Sequence, residues 1–457
     1  MDPTALTLVE LAAAYRDGRH RPAEVVEAYL DRIEVGAVYR VVTAERARRQ
    51  AGRAERLFAE GIDRGPLQGI PIGLKDLMDT EGDVTAAGSA VLAEGPPARR
   101  DCPAAARLDR AGGVFLGKTN MTELAFGALG LNPHFGTAAC ALDPDRVPGG
   151  SSSGSAVAVA AGLACVAIGS DTGGSVRIPA AFNGIVGLKT TDGRIPMDGC
   201  VPLSPTLDTL GPLARTVADA WHVWRALAEL PPAPFPDQPV ERLSLLVPTQ
   251  LLTGLEAEVE QAFGAACERL TAAGHRLGRR AMPVLDEIPR LYERYGTFAG
   301  IEGLRLHREL IEGGGARIDP RVSTRMLQYR DRSPEDHARL IETRKRIRAE
   351  FEVLARPYDA LVAPTVPILP PRIAELTTDE AYLQANARVL RNAQVFNFLG
   401  RPALSVPCGT TAGGLSVGCM IVPPPDGEAL ALRVGAAVMG RGSRDRTRKG
   451  QSPLRSA

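Results

Sequence analysis

The chain has 457 residues, of which 44% are hydrophobic and 23% charged, and its formal net charge is +1. These values indicate a globular protein with a large core, and the near-neutral charge argues against binding nucleic acid through its phosphates. The seven cysteines are scattered and lack a C-x-x-C spacing, which argues against a disulfide framework and against a zinc site.

The beginning of the chain, MDPTALTLVELAAAYRDG, has no basic segment followed by an apolar one, so it does not resemble a signal peptide. No segment has the length and composition expected of a membrane span. We therefore expect a cytoplasmic protein that contacts no membrane.

Predicted helices and strands alternate along the first half of the chain. Residues 7–60 have the apolar spacing of helices, and residues 207–230 are predicted to form one long helix. Further helices are predicted at 101–113 and 155–163. Strands are predicted at four short apolar runs, 66–75, 114–120, 165–171 and 184–190. This alternation is typical of a layered α/β fold with a largely buried sheet.

The second half begins after a linker-like segment, 231–240, in which five of ten residues are proline. A helix is predicted at 258–274, and residues 284–356 are predicted to be helical and rich in charge. Strands are predicted at 242–249, 358–367, 401–408 and 415–422. Because these strands are expected to join the same sheet, we favour one domain over 1–440, followed by a basic tail, 441–457, predicted to be disordered.

The lysines are few and placed in a pattern. Only five of the 54 basic residues are lysines, and Lys75, Lys118 and Lys189 each end an apolar run predicted to be a strand. One interpretation is that all three cap strands at the edge of the core. The other is that one of them acts as a neutral base, because a desolvated lysine can lose its proton whereas arginine stays charged.

Two glycine-flanked serine clusters lie within 149–177, G-G-S-S-S-G-S and G-S-D-T-G-G-S-V-R, with no histidine between them. Ser175 follows D-T-G-G, where successive backbone N–H groups can converge on one point and stabilise an oxyanion beside a nucleophile. A serine needs a proton acceptor to attack. A second serine beside a buried neutral lysine would supply one. The alternative interpretation is that both clusters are tight turns.

Two short motifs match formally but lack the required context. Residues 112–119 fit the P-loop pattern G-x-x-x-x-G-K-[ST], yet a helix is predicted before the first glycine and bulky residues fill the interior. Residues 150–154 fit G-x-S-x-G with Ser152 as nucleophile, yet the preceding segment is loop-like and no downstream histidine lies in a suitable context. We therefore expect neither nucleotide binding nor an α/β-hydrolase elbow.

The chain resembles the amidase signature family of serine hydrolases over nearly its whole length, and most densely from 69 to 212. The segments that carry the resemblance stand in the family's order, GIPIGLKDLMDTEG, LGKTNMTELAFG, DPDRVPGGSSSGSAVAVAAGLACVAIGSDTGGSVRIP and LDTLGPLARTVADA. The resemblance implies a single large α/β domain with a central mixed β-sheet covered by helices on both faces. Its core would span about 66–215, with a substrate-shaping helical region at about 284–356.

The family's Ser–cis-Ser–Lys triad has a matching residue here at each position. The resemblance implies that Ser175 is the nucleophile that forms the acyl-enzyme, that a cis peptide bond holds Ser151, and that Lys75 is the base. It places the oxyanion hole at the N–H groups of Thr172, Gly173, Gly174 and Ser175. It also implies four side chains that support the triad: Ser152, Ser153, Asp171 and Arg177.

The implied activity is hydrolysis of a small-molecule amide to a carboxylate and ammonia or an amine, without a metal or organic cofactor. The same residues would suit the A-type component of a glutamyl- or aspartyl-tRNA amidotransferase with partner subunits, or a carboxybiuret- or allophanate-type hydrolase. An intact triad argues against a non-catalytic scaffold. The resemblance fits a homodimer as well as one component of a larger complex.

Specificity is expected outside the motifs, beside 126–132, the helices of 290–345 and the loop after Pro364. The arginines of 317–332 lie close together in the sequence and next to Tyr329, so we hypothesise that they bind a substrate carboxylate; the alternative is a solvated helix face. Ser416 and Met420 stand where many family members have Pro and Gln. This departure lies outside the triad and is expected to affect the pocket wall or the packing behind it.

Overall fold

Eleven strands form one mixed β-sheet in the computed structural model, which describes residues 2–236, 238 and 240–440. In chain order the strands are β1 (Tyr39–Val42), β2 (Pro71–Lys75), β3 (Val114–Thr119), β4 (Val166–Ser170), β5 (Val186–Lys189), β6 (Leu210–Ala214), β7 (Ser244–Pro248), β8 (Arg276–Arg280), β9 (Ala360–Pro364), β10 (Ala403–Thr410) and β11 (Ser416–Val422). Their order across the sheet is β1-β3-β2-β4-β6-β5-β10-β11-β9-β7-β8.

Fifteen α-helices of the described residues accompany this sheet. They are α1 (Leu8–Arg16), α2 (Pro22–Leu30), α3 (Ala44–Ala59), α4 (Pro103–Arg110), α5 (Ser153–Ala160), α6 (Arg177–Phe182), α7 (Val217–Leu227), α8 (Ala257–Ala272), α9 (Glu287–Tyr295), α10 (Phe298–Gly314), α11 (Pro320–Leu327), α12 (Pro334–Ala355), α13 (Asp379–Leu390), α14 (Ala393–Phe398) and α15 (Glu428–Met439). Helices α9 to α12 occupy the region predicted to be helical at 284–356.

Strands from both halves of the chain join in this sheet. Strand β2 pairs in parallel with β3 and β4, while β10, from the second half, pairs antiparallel with β5. Helices cover both faces, since Leu404 of β10 packs against α15 and the neighbouring Ser405, pointing the opposite way, lies on the side of α6. The predicted single α/β domain with a mixed sheet is thus confirmed, and the proline-rich segment separates no domains.

The prediction of one helix over 207–230 is wrong. Residues 210–214 form β6, between β4 and β5, and the helix α7 begins only after Thr216, whose hydroxyl accepts the Asp219 N–H. Pro212 lacks an N–H and would disrupt a helix interior. A side chain at Gly211 would overlap the Leu188 carbonyl oxygen of β5, so this position suits close packing of strands.

Two edge strands were not predicted. Strand β1 lies within 7–60, where only helices were expected, and β8, at the opposite edge, has the sequence RLGRR. A charged edge strand protects a sheet from pairing with other chains, but it lacks the apolar run by which buried strands are recognised. The other predicted strands are all present.

No helix among the described residues is long and apolar enough to cross a membrane. The tail predicted to be disordered, 441–457, lies outside the described residues. The exact limits of the domain, 1–440, and of its core and peripheral regions stay predictions.

Candidate active site

Lys75 ends β2, in the buried part of the sheet, and its side chain has no exposed surface. Its Nζ lies 2.7 Å from Ser151 Oγ and 2.8 Å from Ser170 Oγ, both within hydrogen-bond distance. In the part of the chain that the structure describes, no carboxylate forms an ion pair with this amine. Lys75 therefore contacts two hydroxyl groups instead of a counter-charge.

The other two strand-end lysines have carboxylate partners. Lys118 Nζ lies 3.3 Å from Asp76, and Lys189 Nζ lies 3.1 Å from Asp192. Residues 114–119 of the formal P-loop match form the buried strand β3 and provide no phosphate-binding loop. These contacts support a structural role for Lys118 and Lys189 and set Lys75 apart.

The loop that carries Ser151 is fixed by backbone contacts. The peptide bond between Gly150 and Ser151 is cis. The Gly150 N–H donates to the Ala128 carbonyl at 2.7 Å, and the Ser151 carbonyl accepts the Thr122 N–H at 3.1 Å. A side chain at Gly150 would lie 2.7 Å from the backbone nitrogen of Gly130, so only glycine fits there. The loop thus places the buried Ser151 hydroxyl beside Lys75.

Ser152 connects the two serine clusters. Its hydroxyl donates to the Ser170 carbonyl at 3.2 Å, and its N–H donates to the Ser175 carbonyl at 3.3 Å. Ser153 begins helix α5, and no strand immediately precedes this loop. This arrangement differs from a nucleophile elbow, which requires a strand immediately before the serine.

The loop before Ser175 folds around the carboxylate of Asp171. Asp171 accepts hydrogen bonds from the N–H groups of Gly174, at 2.8 Å, and Val176, at 3.1 Å. Gly174 has φ of +125°, and a side chain there would lie 2.6 Å from Ala393 Cβ. Glycine is therefore required at this position for both conformation and space.

Because the Gly174 N–H is bonded to Asp171, it is not free to bind a substrate oxygen, contrary to the expectation for the oxyanion hole. The N–H groups of Thr172, Gly173 and Ser175 have no hydrogen-bond partner among residues 2–236, 238 and 240–440. Ser175 is 5% exposed, whereas Ser151 is completely buried. Of the two serines, Ser175 is the one that a substrate can reach.

Arg177 holds Asp171 from the opposite side. Its guanidinium lies 2.9 Å from Asp171 Oδ1 and also donates to Asn397 Oδ1 and to Met420 Sδ, at 2.6 and 3.1 Å. Burial alone would raise the pKa of Asp171, but the charge of Arg177 and the hydrogen bonds from Arg177 and Asn397 hold it far below its ordinary value. Met420, one of the two departures from the family pattern, thus contacts a supporting residue and not the triad.

The hypothesised carboxylate-binding arginines divide into two groups. Arg325 donates to the Phe126 carbonyl at 2.9 Å and stacks on the Phe126 ring, and Arg321 stacks on Tyr382. Arg317 instead pairs with Glu94. Two residues after Phe126, Ala128 accepts the hydrogen bond from Gly150. Only Arg321 and Arg325 therefore lie on the side of the Ser151 loop.

A protein-family model described as Amidase matches residues 24–432 of this sequence. The chain belongs to the Amidase family. It is 38% identical over 410 residues to the 2-amino-5-chloromuconic acid deaminase of Comamonas testosteroni, covering 88% of this chain and 87% of that protein. It is 33% identical over 472 residues to the A-type component of the glutamyl-tRNA(Gln) amidotransferase of Synechococcus sp. strain WH7803, covering 94% and 96%.

The fold agrees with this assignment. A solved structure described as an amidase superposes with a TM-score of 0.83 at 32% identity, covering 94% of this chain and 99% of that one. The resemblance inferred from the motif segments is confirmed, and the protein is an amide-hydrolysing enzyme. Among the described residues of this amidase, no group of three or more His, Cys, Asp or Glu side chains could hold a metal ion.

Sequence reasoning missed two polar residues of the amidase site, Ser170 and Asn397. Ser170 ends β4, and because β2 and β4 are parallel neighbours, their carboxyl ends bring Ser170 next to Lys75. That pairing is the signal that could have identified Ser170. Asn397 comes from α14, more than 200 residues away from Arg177, and no local pattern indicates it.

Burial of Lys75 has a measurable consequence for the stability of the amidase. Desolvation lowers the pKa of Lys75 from 10.5 to about 7, although Asp171 and Asp208 oppose the shift. Between these values the unfolded chain holds a proton that the folded chain does not. The contribution of Lys75 to the free energy of unfolding therefore rises with pH over this interval, by roughly 1.4 kcal/mol per pH unit.

We expect Lys75→Met to remove this part of the pH dependence, because methionine does not titrate. The measurement is urea unfolding of both proteins at pH 7.5 and pH 9.5, with the difference between the two pH values compared. All other titrating groups are common to both chains and cancel in that comparison. An identical pH dependence in the two proteins would show that the folded-state pKa of Lys75 is not lowered.

Proposed function

We propose that this enzyme is a free-standing amidase that hydrolyses a small carboxylate-bearing amide, with Ser175 as nucleophile, Ser151 as proton relay and Lys75 as base. The observation that carries the proposal is the environment of Lys75. This amine is completely buried, contacts two hydroxyl groups and lacks a carboxylate partner among the described residues. Such an environment favours the neutral amine, which is the form that accepts a proton.

In the proposed reaction, neutral Lys75 takes the Ser151 proton while Ser151 takes the proton of Ser175. The Ser175 oxygen then bonds to the amide carbonyl carbon and forms a tetrahedral oxyanion. The carbon–nitrogen bond breaks, and the proton held by Lys75 passes through Ser151 to the leaving nitrogen. Water attacks the resulting ester by the same route, which releases the carboxylate and restores Ser175.

The developing oxyanion would be bound by the N–H groups of Thr172, Gly173 and Ser175. Support for this assignment is that Asp171 and Arg177 hold the loop rigidly while leaving these three donors unbonded within the described residues. Donors fixed before the reaction stabilise charge without reorganisation, which makes such groups a major source of rate enhancement.

A carboxylate in the substrate is favoured by the position of Arg325 and Arg321. Both are only partly buried, on the side of the Ser151 loop, and neither forms an ion pair with a carboxylate in the described part of the chain. Guanidinium groups bind carboxylates with two parallel hydrogen bonds. The name of the C. testosteroni relative states a carboxylic acid as its substrate, which agrees with this preference.

We expect Arg325→Ala to raise KM about 10- to 100-fold for amides that carry a carboxylate, the loss typical of a charge-assisted contact. KM for neutral amides of similar size should change little. Arg317→Ala is the matched control, since Arg317 lies in the same segment but pairs with Glu94. Equal effects of Arg325→Ala on acidic and neutral amides would contradict the assigned carboxylate contact.

A second candidate is the A-type component of a tRNA-dependent amidotransferase, which would release ammonia from glutamine for a partner protein. It is favoured by the 33% identity to such a component over 96% of its length. Glutamine also carries a carboxylate, so Arg325 suits both candidates. Allophanate, an acidic amide, is the substrate of the third alternative.

The test is ammonia release by the purified enzyme with a panel of aliphatic and aryl amides, acidic amides, glutamine, asparagine, allophanate and biuret derivatives. We expect turnover of an acidic amide, absent from Ser175→Ala. Turnover of glutamine only when candidate partner subunits are added would favour the amidotransferase assignment instead. Activity retained in Ser175→Ala would overturn the proposed nucleophile.

A further inference from the structure

A carboxylate outside the triad contacts the loop proposed to bind the oxyanion. Asp208 lies two residues before β6, and its Oδ1 accepts the hydroxyl proton of Thr172 at 2.5 Å. Its Oδ2 accepts the N–H groups of Leu203 and Ser204, both at 2.9 Å. The carboxylate therefore joins the oxyanion loop to the segment 203–208.

The segment 203–208 is held in turn by the peripheral helices. Glu302 of α10 accepts hydrogen bonds from the hydroxyls of Ser204 and Thr206, each at 2.6 Å, and also pairs with His337 of α12 at 2.9 Å. Glu302 is the acidic group that faces Asp208 from this side. Because both ends of the segment are bonded, Asp208 has little freedom to move away from Thr172.

Asp208 also differs electrostatically from the other acid near Lys75. Three ionisable groups face Lys75: Asp171, Asp208 and Cys200. Asp171 is neutralised by its ion pair with Arg177, whereas Asp208 forms no ion pair in the described part of the chain. The negative charge of Asp208 therefore acts on Lys75 without compensation, and it favours the protonated amine.

We infer that Asp208 is a positioning residue of the reaction: it holds Thr172, and with it the N–H donors of the loop, and its charge sets the pH at which Lys75 becomes a proton acceptor. This inference rests on the proposed function, because it requires Ser175, Lys75 and the Thr172 loop to act together. It assigns to Asp208 two effects that are separable by experiment, one on rate and one on pH dependence.

The experiment uses a fluorophosphonate probe, which needs no knowledge of the substrate. Ser175 Oγ would bond to phosphorus as fluoride leaves, and the serine proton would pass to Ser151 and Lys75. The second-order labelling rate is measured from pH 5 to 10, and the labelled residue is identified by peptide mass spectrometry. For the wild-type enzyme we expect labelling of Ser175, with a rate that rises through a midpoint near pH 7.

We expect Asp208→Asn to slow labelling about 10- to 100-fold at high pH, since small displacements of reacting groups cost that much. We also expect its midpoint to move to lower pH, because removing the negative charge makes Lys75 easier to deprotonate. A role in packing alone would lower the rate without moving the midpoint.

Asp219→Asn is the matched control. Asp219 is also a buried carboxylate whose pKa burial raises to about 6, but it accepts the Val9 N–H at the start of α7 and is not among the groups that face Lys75. Its substitution is expected to reduce stability and to leave the midpoint unchanged. Equal rates and midpoints for wild type and Asp208→Asn would overturn the inference, as would a midpoint shift of the same size in Asp219→Asn.

Thr172→Val carries the test if circular dichroism shows Asp208→Asn to be unfolded. This change keeps the charge of Asp208 and removes only the hydroxyl, so it should slow labelling and leave the midpoint in place. An unchanged rate would overturn the inference. A wild-type enzyme labelled at a residue other than Ser175 would instead contradict the proposed function on which the inference rests.

Discussion

Replacing Ser175 with alanine is expected to reduce amide hydrolysis by about 10⁴-fold or more, a loss typical of a removed nucleophile. The hydroxyl is the group that forms the acyl-enzyme in the proposed reaction, and alanine leaves no atom that can replace it. The residue is almost completely buried, and its carbonyl accepts a hydrogen bond that alanine keeps. The variant should therefore fold normally, which thermal unfolding can verify.

Ser152→Ala is the matched control for this experiment. Ser152 is the serine of the formal G-x-S-x-G match, but its hydroxyl donates to the Ser170 carbonyl. Loss of that bond should cost about 1 kcal/mol, or a tenfold effect at most. The measurement is kcat for whichever amide the wild-type enzyme hydrolyses. The reverse result, with Ser152→Ala inactive and Ser175→Ala active, would place the nucleophile in the first serine cluster.

Lys75→Met is expected to lower kcat by about 10³- to 10⁴-fold, because the nucleophile then has no base to take its proton. Methionine has a similar length and no charge, so it can occupy the buried site. Hydrolysis by the wild-type enzyme should increase with pH through a midpoint near 7, since desolvation lowers the pKa of Lys75 to about that value. The residual activity of the variant should not show this rise.

The control for Lys75→Met is Lys345→Met, on the exposed surface of α12. Lys345 pairs only with Glu342, so its replacement should leave kcat and the pH profile unchanged. The decisive measurement is the complete pH profile of kcat/KM for the three proteins. A midpoint near 7 that persists in Lys75→Met would show that another group is the base.

The sequence was sufficient to select Lys75, Ser151 and Ser175, because each lies in a segment whose wording is specific to the family. It also predicted the buried strands, which have continuous apolar runs. The structure brings Lys75 and Ser151 into contact and places Ser175 across a loop tied to Ser152. Their chemical roles are still predictions that the experiments above test.

Other features could not be predicted from local patterns. Asn397 and Asp208 matter because of tertiary contacts with Arg177 and Thr172, and neither lies in a segment with a distinctive composition. Strand β6 was taken for part of a helix because its leucines have a spacing compatible with both structures. The bond between the Gly174 N–H and Asp171 depends on the folded loop, so the number of free donors in that loop could be read only from the structure.

The contacts of Arg177 also bear on how the enzyme is made. Its guanidinium requires the Ala393 carbonyl, Asn397 and Met420, all from the last part of the described chain. During synthesis the polypeptide emerges from its amino end, so Lys75 and both serine clusters leave the ribosome long before these partners. A nascent chain therefore carries the complete set of reactive groups while the loop around Ser175 is still unsupported. Hydrolytic competence should arise only when translation is nearly finished, which would spare the cell a partly folded hydrolase.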